Sequence, residues 1–144
     1  MGDGSHLKVR IGTECFVFPG QIAAALMLSQ LPAGMLCPGV EVTFTCSVTS
    51  TLLRWRVSTS TLGIEGQTTF PNDPQLDPTN GMSTLSVGDF MFIARVTSRS
   101  PGAVTATLMV TPGSPLNGAQ IQCRNSEGVT RSIVLELAGK HNLH

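Results

Sequence analysis

The chain has 144 residues, with nine basic and nine acidic side chains and a formal net charge of zero. This length suits one domain with a buried core rather than two. Charged residues make up only 12% of the chain and form no basic run, which argues against a nucleic-acid-binding surface. No uninterrupted apolar stretch reaches about 18 residues, so no membrane insertion is expected.

Residues 1–36 loosely resemble a secretory signal peptide. Lys8 and Arg10 lie in a polar start, and an apolar region follows from residue 11 to residue 36. Pro19 interrupts that region, and the alanines at 23–25 are the nearest candidate for a cleavage site. The alternatives are a structured strand or helix, or the remnant of a preceding segment. We assign residues 1–36 as an N-terminal segment, either a signal or a poorly structured lead-in.

Regular alternation of apolar and polar side chains begins after residue 40. In residues 42–48 the apolar side chains alternate with Thr and Ser, which is typical of a strand with one buried face. In residues 53–57 three apolar side chains alternate with Arg54 and Arg56. The two arginines are therefore expected to face solvent.

The rest of the chain is predicted to continue as strands. Residues 58–89 are rich in Ser, Thr, Gly, Pro, Asn and Asp and are predicted to be loops or short edge strands. Residues 90–96 are predicted to be a strand buried on much of both faces. Further strands predicted from alternation are 104–110, 119–123 and 133–137. Residues 124–128 have the composition of a hairpin loop.

The chain contains four cysteines, Cys15, Cys37, Cys46 and Cys123. None forms a C-x-x-C pair, which argues against a zinc ribbon or a thioredoxin-type motif. A long-range disulfide is the better interpretation, and it implies an oxidising compartment.

Three short segments carry a pattern of two cysteines and one tryptophan. They are Val-Thr-Phe-Thr-Cys at 42–46, Leu-Arg-Trp at 53–55 and Leu-Asn-Gly-Ala-Gln-Ile-Gln-Cys at 116–123. Together they resemble the immunoglobulin-like family over residues 37–138. The long separation of the two cysteines is similar to that in the variable and intermediate sets.

The resemblance implies an all-β fold, a two-sheet antiparallel immunoglobulin-like sandwich with Greek-key connections. It also implies a disulfide between Cys46 and Cys123 that crosses the core, with Trp55 packed against it. These three residues are expected to be structural. The immunoglobulin-like domain would occupy residues 37–138, followed by a short tail at 139–144.

The chain departs from the family pattern at two positions. The usual tyrosine two residues before the second cysteine is Ile121, and the chain has no tyrosine at all, so no tyrosine corner can form. The usual aspartate six residues before that cysteine is Asn117. An Arg–Asp bridge is therefore absent, and Arg95 is expected to find another partner or solvent.

Cys15 and Cys37 are candidates for a second disulfide, which would tie the N-terminal segment to the first edge strand. Alternatively, Cys15 is lost with a signal, which leaves Cys37 free or bonded to another chain. The third alternative is a pair of buried thiols.

No enzyme chemistry is expected. His6, His141 and His144 are the only histidines, and all lie near the termini. The sequence has no G-x-S-x-G, no H-E-x-x-H and no phosphate-cradling glycine motif. We therefore expect no catalytic, cofactor-binding or metal-binding residues and no cofactor.

Elimination and resemblance together favour an extracellular recognition or adhesion module of receptor type. It would be secreted, or be the extracellular part of a cell-surface protein, and would bind another extracellular or cell-surface protein, with itself as one candidate. The alternative is a structural spacer in a larger extracellular or membrane-anchored protein.

Two sets of residues are candidates for binding. The loops at 49–51, 58–89 and 124–128 are predicted to bind, because loops on a rigid scaffold commonly carry recognition. Phe70, Met91 and Met109 are candidates for an exposed apolar patch, with packing in the core as the alternative.

Overall fold

The structure is a computed structural model that describes residues 8–11, 14–17, 26–59, 64–72 and 81–139. Its strands in chain order are β1 (Lys8–Ile11), β2 (Glu14–Val17), β3 (Leu26–Leu31), β4 (Val42–Val48), β5 (Leu52–Thr59), β6 (Ile64–Pro71), β7 (Met82–Val87), β8 (Phe90–Ser100), β9 (Ala103–Val110), β10 (Gln120–Asn125) and β11 (Thr130–Val134). A short 3₁₀ helix at Ser114–Leu116 lies between β9 and β10 and is the only helix in the described ranges.

These strands form two antiparallel sheets that pack face to face. One sheet has five strands in the order β3-β4-β9-β8-β7, and the other has four in the order β11-β10-β5-β6. The strands β1 and β2 pair with each other as a separate hairpin. The predicted all-β, two-sheet antiparallel sandwich is therefore confirmed. Its chain crosses between sheets from β4 to β5, from β6 to β7 and from β9 to β10, as in Greek-key sandwiches.

Alternating side chains place the core between the sheets. In β4, β5 and β9 every second residue is buried, and the buried set includes Phe44, Trp55, Val57 and Leu108. Each such side chain contributes about 1.5–3 kcal/mol when it is fully buried. Most of the intervening residues are polar or charged, with Leu52, Ala103 and Met109 as exceptions, so the pattern favours one register.

The predicted disulfide lies at the centre of this core. Cys46 of β4 and Cys123 of β10 are bonded, and both are fully buried. Trp55 is the cross-strand partner of Cys123 on β5 and is also fully buried. Directly opposed side chains on one face are in contact, so the indole packs beside the disulfide that joins the two sheets.

The sandwich begins earlier in the chain than the boundary expected at residue 37. Strand β3 pairs with β4 at the edge of the five-stranded sheet, and Leu26 and Leu36 are both buried. The alternation in β3 is hard to detect because its outward residues Met27 and Leu31 are also apolar, although they are 64% and 74% exposed.

A short parallel bridge joins the segment that follows β3 to the segment that follows β11. The Leu36 N–H donates to the Glu136 carbonyl at 2.8 Å, and the Ala138 N–H donates to the Leu36 carbonyl at 2.7 Å. Leu36 and Leu137 are the bridge partners. The chain after β11 is thereby fixed against the segment that follows β3.

Residues 58–89 were predicted to be loops or short edge strands, and they include β6 and β7, each of which lies at the edge of its sheet. The two strands are hard to locate in the sequence because some of their inward positions hold small or polar residues, although Phe70, Leu85 and Val87 are buried. Gly66 has no side chain at its inward position, where an added Cβ would be in ordinary contact with Val87 Cγ2 at 3.4 Å. Thr68 Oγ1 donates to Ser83 Oγ at 3.0 Å, so the two polar residues satisfy each other where the edges of the two sheets meet.

Strand β8 is buried on one face, whereas burial on both faces was predicted. Phe92, Ala94 and Val96 point into the core, while Met91 and Arg95 are exposed on the outer face. The prediction was wrong because apolar residues also occupy outward positions of this strand.

Candidate binding surface

The outer face of the four-stranded sheet carries a cluster of arginines and amides. We call it the arginine face; its residues are Arg54, Arg56, Gln67, Gln122, Arg124 and Thr130. The strand register brings them together, because Arg124 of β10 lies opposite Arg54 of β5 and Gln122 lies opposite Arg56. Gln67 of β6 lies on the other side of Arg56.

The core residues determine where these arginines point. Leu53, Trp55 and Val57 are buried, so Arg54 and Arg56 must face outward, as predicted. Arg124 follows the buried Cys123 and faces outward for the same reason. It was expected to begin a hairpin loop, but β10 extends to Asn125, and the turn follows at residues 126–129.

The three guanidinium groups differ in their partners. Arg56 donates two hydrogen bonds to Glu65 Oε1, at 2.7 and 3.2 Å. Arg54 Nε donates to the neutral Thr69 Oγ1 at 3.2 Å. Neither Arg54 nor Arg124 forms an ion pair with any described residue. Two positive charges on neighbouring strands therefore face solvent without a carboxylate.

The arginine face is open and shallow. The hollow between its side chains has a volume of about 120 Å³. Pockets that bury a drug-sized ligand are about 300–1,000 Å³. This hollow suits a group the size of one side chain, and the flat sheet around it suits a macromolecular surface.

Hydrogen bonds hold the loops beside the arginine face. Ser50 is buried, and its Oγ accepts from the Leu52 and Ser126 N–H groups at 3.2 and 3.1 Å. The Asn72 amide donates to the Ser50 and Ser100 carbonyls. Two of the predicted binding loops, 49–51 and 124–128, are thus tied together at one end of the sandwich.

Asn125 holds the turn between β10 and β11. Its Oδ1 accepts from the Glu127 and Val129 N–H groups, both at 2.9 Å, and the residue is buried. The loops at this end are therefore fixed by internal bonds before any partner arrives, which reduces the entropy lost on binding.

The outer face of the five-stranded sheet is different. Its outward apolar residues, which we call the methionine face, are Met27, Leu31, Met82, Met91, Ile93 and Met109. Arg95 is the only charged residue at the outward strand positions of this sheet, and it donates to Met82 Sδ at 3.5 Å. Asn117 Oδ1 accepts a hydrogen bond from the Leu137 N–H at 2.9 Å.

The three apolar candidates have different positions. Phe70 is buried in the core, Met109 is half-buried, and Met91 is 58% exposed. Only Met91 is thus clearly at the surface, and it belongs to the methionine face.

The remaining cysteines do not form a disulfide among the described side chains. Cys37 is an exposed free thiol. The side chain of Cys15 lies outside the described part of the chain, so its pairing with Cys37 stays a prediction. The alanines at 23–25 and His6, His141 and His144 also lie outside the described residues.

Within the described ranges, no three His, Cys, Asp or Glu side chains lie close enough together to hold a metal ion. No described helix has the length and apolar character needed to cross a membrane.

Scans of the chain against models of protein families, against curated proteins and against solved structures found no match.

Sequence reasoning missed the pairing of Arg54 with Arg124. The sequence did contain a clue to this pairing, because Arg54 precedes Trp55 and Arg124 follows Cys123. If Trp55 and Cys123 are neighbours across two strands, Arg54 and Arg124 are neighbours on the opposite face.

Proposed function

We propose that the chain is an immunoglobulin-like recognition module that binds another protein and acts without catalysis. The strand order β11-β10-β5-β6 is the one expected for G-F-C-C′ of the family, and β3-β4-β9-β8 is the one expected for A-B-E-D, with β7 as an additional edge strand beside β8. The buried disulfide beside Trp55 supports the same assignment.

The setting that fits is extracellular. A structural disulfide persists in oxidising compartments, and Cys46–Cys123 is such a bond at the centre of the core. We propose that the protein is secreted or is the extracellular part of a cell-surface protein, with a receptor or adhesion role.

The observation that carries the proposal is the arginine face next to the tied loops. Like charges directly opposite each other on a sheet are destabilising, so Arg54 opposite Arg124 does not help the chain fold. Arginine is also among the residues enriched at the energetic centres of protein interfaces. A destabilising cluster on a rigid, disulfide-joined sheet is best explained by binding.

The test is an array of extracellular and cell-surface proteins, with the chain itself included, probed with the purified protein. We expect the purified, folded protein to bind at least one member of the array. The unfolded protein should not bind that member. No binding to any member, itself included, would favour the spacer, in which the sandwich only sets a distance between neighbouring domains.

A further inference from the structure

We infer that the arginine face binds side-chain carboxylates of an acidic partner protein, with Arg54 and Arg124 as the residues that contact them. The inference rests on the proposed recognition function and specifies its surface and the chemistry of its partner.

The charge distribution within the face supports this assignment. The Arg56 guanidinium is already bonded to Glu65, which neutralises it and holds it in place. Arg54 and Arg124 have no such partner among the described residues. A carboxylate placed between them would accept charge-assisted hydrogen bonds from two guanidinium groups and would relieve their mutual repulsion.

The positions of the two arginines fit one carboxylate. Directly opposed residues in an antiparallel pair have Cβ atoms about 4.5–5.5 Å apart, so both guanidinium groups can reach the same anionic group. Gln67 and Gln122 flank the hollow, and their amides can donate to a second oxygen or to a partner carbonyl.

The shape of the face favours a protein over a small ligand. The hollow of about 120 Å³ has room for a carboxylate side chain but is small for a ligand that has to be enclosed by the protein. The surrounding sheet is flat, exposed and polar, and the tied loops extend it at one end. Such a surface is complementary to another folded surface that carries Asp or Glu.

The same chemistry opposes a two-fold contact between this face and the same face of a second copy. Such a contact places the same patch on both sides, so Arg54 and Arg124 would meet the arginines of the other copy. It would bury like charges together, and this costs several kcal/mol in interfaces. The partner to which we assign this face is a different, acidic protein.

The test is a titration of the isotope-labelled protein with a capped oligoglutamate peptide, followed by NMR at low ionic strength. We expect saturable shifts of the Nε–H signals of Arg54 and Arg124, with little change at Arg95. Affinity should fall as salt is added, because the contact is electrostatic.

Matched variants make the titration specific. Arg54→Gln and Arg124→Gln should each weaken binding by about tenfold, as expected for loss of a hydrogen bond to a charged group. Arg95→Gln removes the same charge from the other sheet and should leave the affinity unchanged. Arg124→Lys keeps the charge but loses the planar fork, so it should recover only part of the affinity.

Three outcomes would overturn the inference. The first is the lack of saturable shifts at Arg54 and Arg124. The second is equal weakening by Arg95→Gln, which would mean that only net charge matters. The third is tighter binding of a sulfated oligosaccharide than of oligoglutamate through the same arginines, which would point to a glycan. All variants are checked first for a cooperative urea melt and a well-dispersed NMR spectrum, which show that they are folded.

The protein array separates this inference from the proposed function. If a protein partner is found and its binding is unchanged by Arg54→Gln with Arg124→Gln, the inference fails while the recognition function stands. If no protein binds, the recognition function itself fails, whatever oligoglutamate does.

Discussion

The two outer faces of the sandwich share one core but differ in the cross-strand pairs that they carry. On the five-stranded sheet, Ser47 lies opposite Thr105, and their hydroxyls are hydrogen-bonded at 2.9 Å. On the four-stranded sheet, Arg54 lies opposite Arg124, and the two cations repel each other. We expect the first pair to stabilise its sheet and the second to weaken it.

The two faces also differ in what they expose to water. The five-stranded sheet has outward Thr and Ser, among them the bonded Ser47 and Thr105, beside the exposed apolar side chains of the methionine face. Its outward arginine, Arg95, contacts Met82 Sδ. The four-stranded sheet instead has two like charges that the strand register places opposite each other, and this is the feature that we propose a partner relieves.

Removal of the Trp55 side chain should destabilise the core that both sheets share. It is the largest change in stability that we expect. Trp55→Ala should lower the free energy of unfolding by about 3–5 kcal/mol, as for other buried large aromatic residues. Urea denaturation followed by circular dichroism measures this loss. A change below about 1 kcal/mol would mean that the core described around the disulfide is wrong.

Trp55→Phe is the matched control. Its ring still fills much of the site, and no hydrogen bond is lost, because Trp55 Nε1 has no partner in the described structure. We expect a smaller loss of stability than for Trp55→Ala.

Loss of the disulfide should come next in size. Cys46 and Cys123 are separated by 77 residues. In the chain-entropy model, the paired replacement Cys46→Ala with Cys123→Ala should destabilise by about 2–5 kcal/mol. Reducing and non-reducing peptide mapping of the wild type must first show the linked peptides. The loss should affect the whole sandwich, because the disulfide joins its two sheets. As a control, Cys37→Ala should leave the stability almost unchanged because that thiol is exposed.

The Ser47–Thr105 pair offers a smaller and more local test on the methionine face. Ser47→Ala and Thr105→Ala, combined in a double-mutant cycle, should give a favourable coupling of about 0.2–1 kcal/mol. A cycle of urea melts measures it. A coupling near zero would mean that the hydroxyls prefer water to each other.

The sequence predicted the centre of the molecule better than its edges. Strands β4, β5 and β9 have apolar side chains at every inward position except Thr59, and mostly polar ones at outward positions, because one face of each lies in the core and the other in solvent. The resemblance to immunoglobulin-like domains added the long-range pairing of Cys46 with Cys123, which local alternation cannot reveal. These are also the residues that fix the register of both sheets.

The edge strands were harder because their two faces are chemically similar. Strand β3 has apolar residues on both faces, and strands β6 and β7 have small or polar residues at inward positions such as Gly66, Thr68 and Ser83. The candidate site was missed for another reason. Arg54 and Arg124 are 70 residues apart in the chain, and only the pairing of β5 with β10 brings them together.

The most direct test of the account is a double-mutant cycle on Arg54 and Arg124, with stability and binding measured on the same four proteins. With Arg54→Thr and Arg124→Thr, urea melts should give an unfavourable coupling of about 0.2–1 kcal/mol that shrinks as salt is added. Each replacement should raise stability slightly and weaken binding of the acidic peptide. A favourable coupling, with binding unchanged in the double variant, would show that the pair supports the fold and would contradict a binding role for the arginine face.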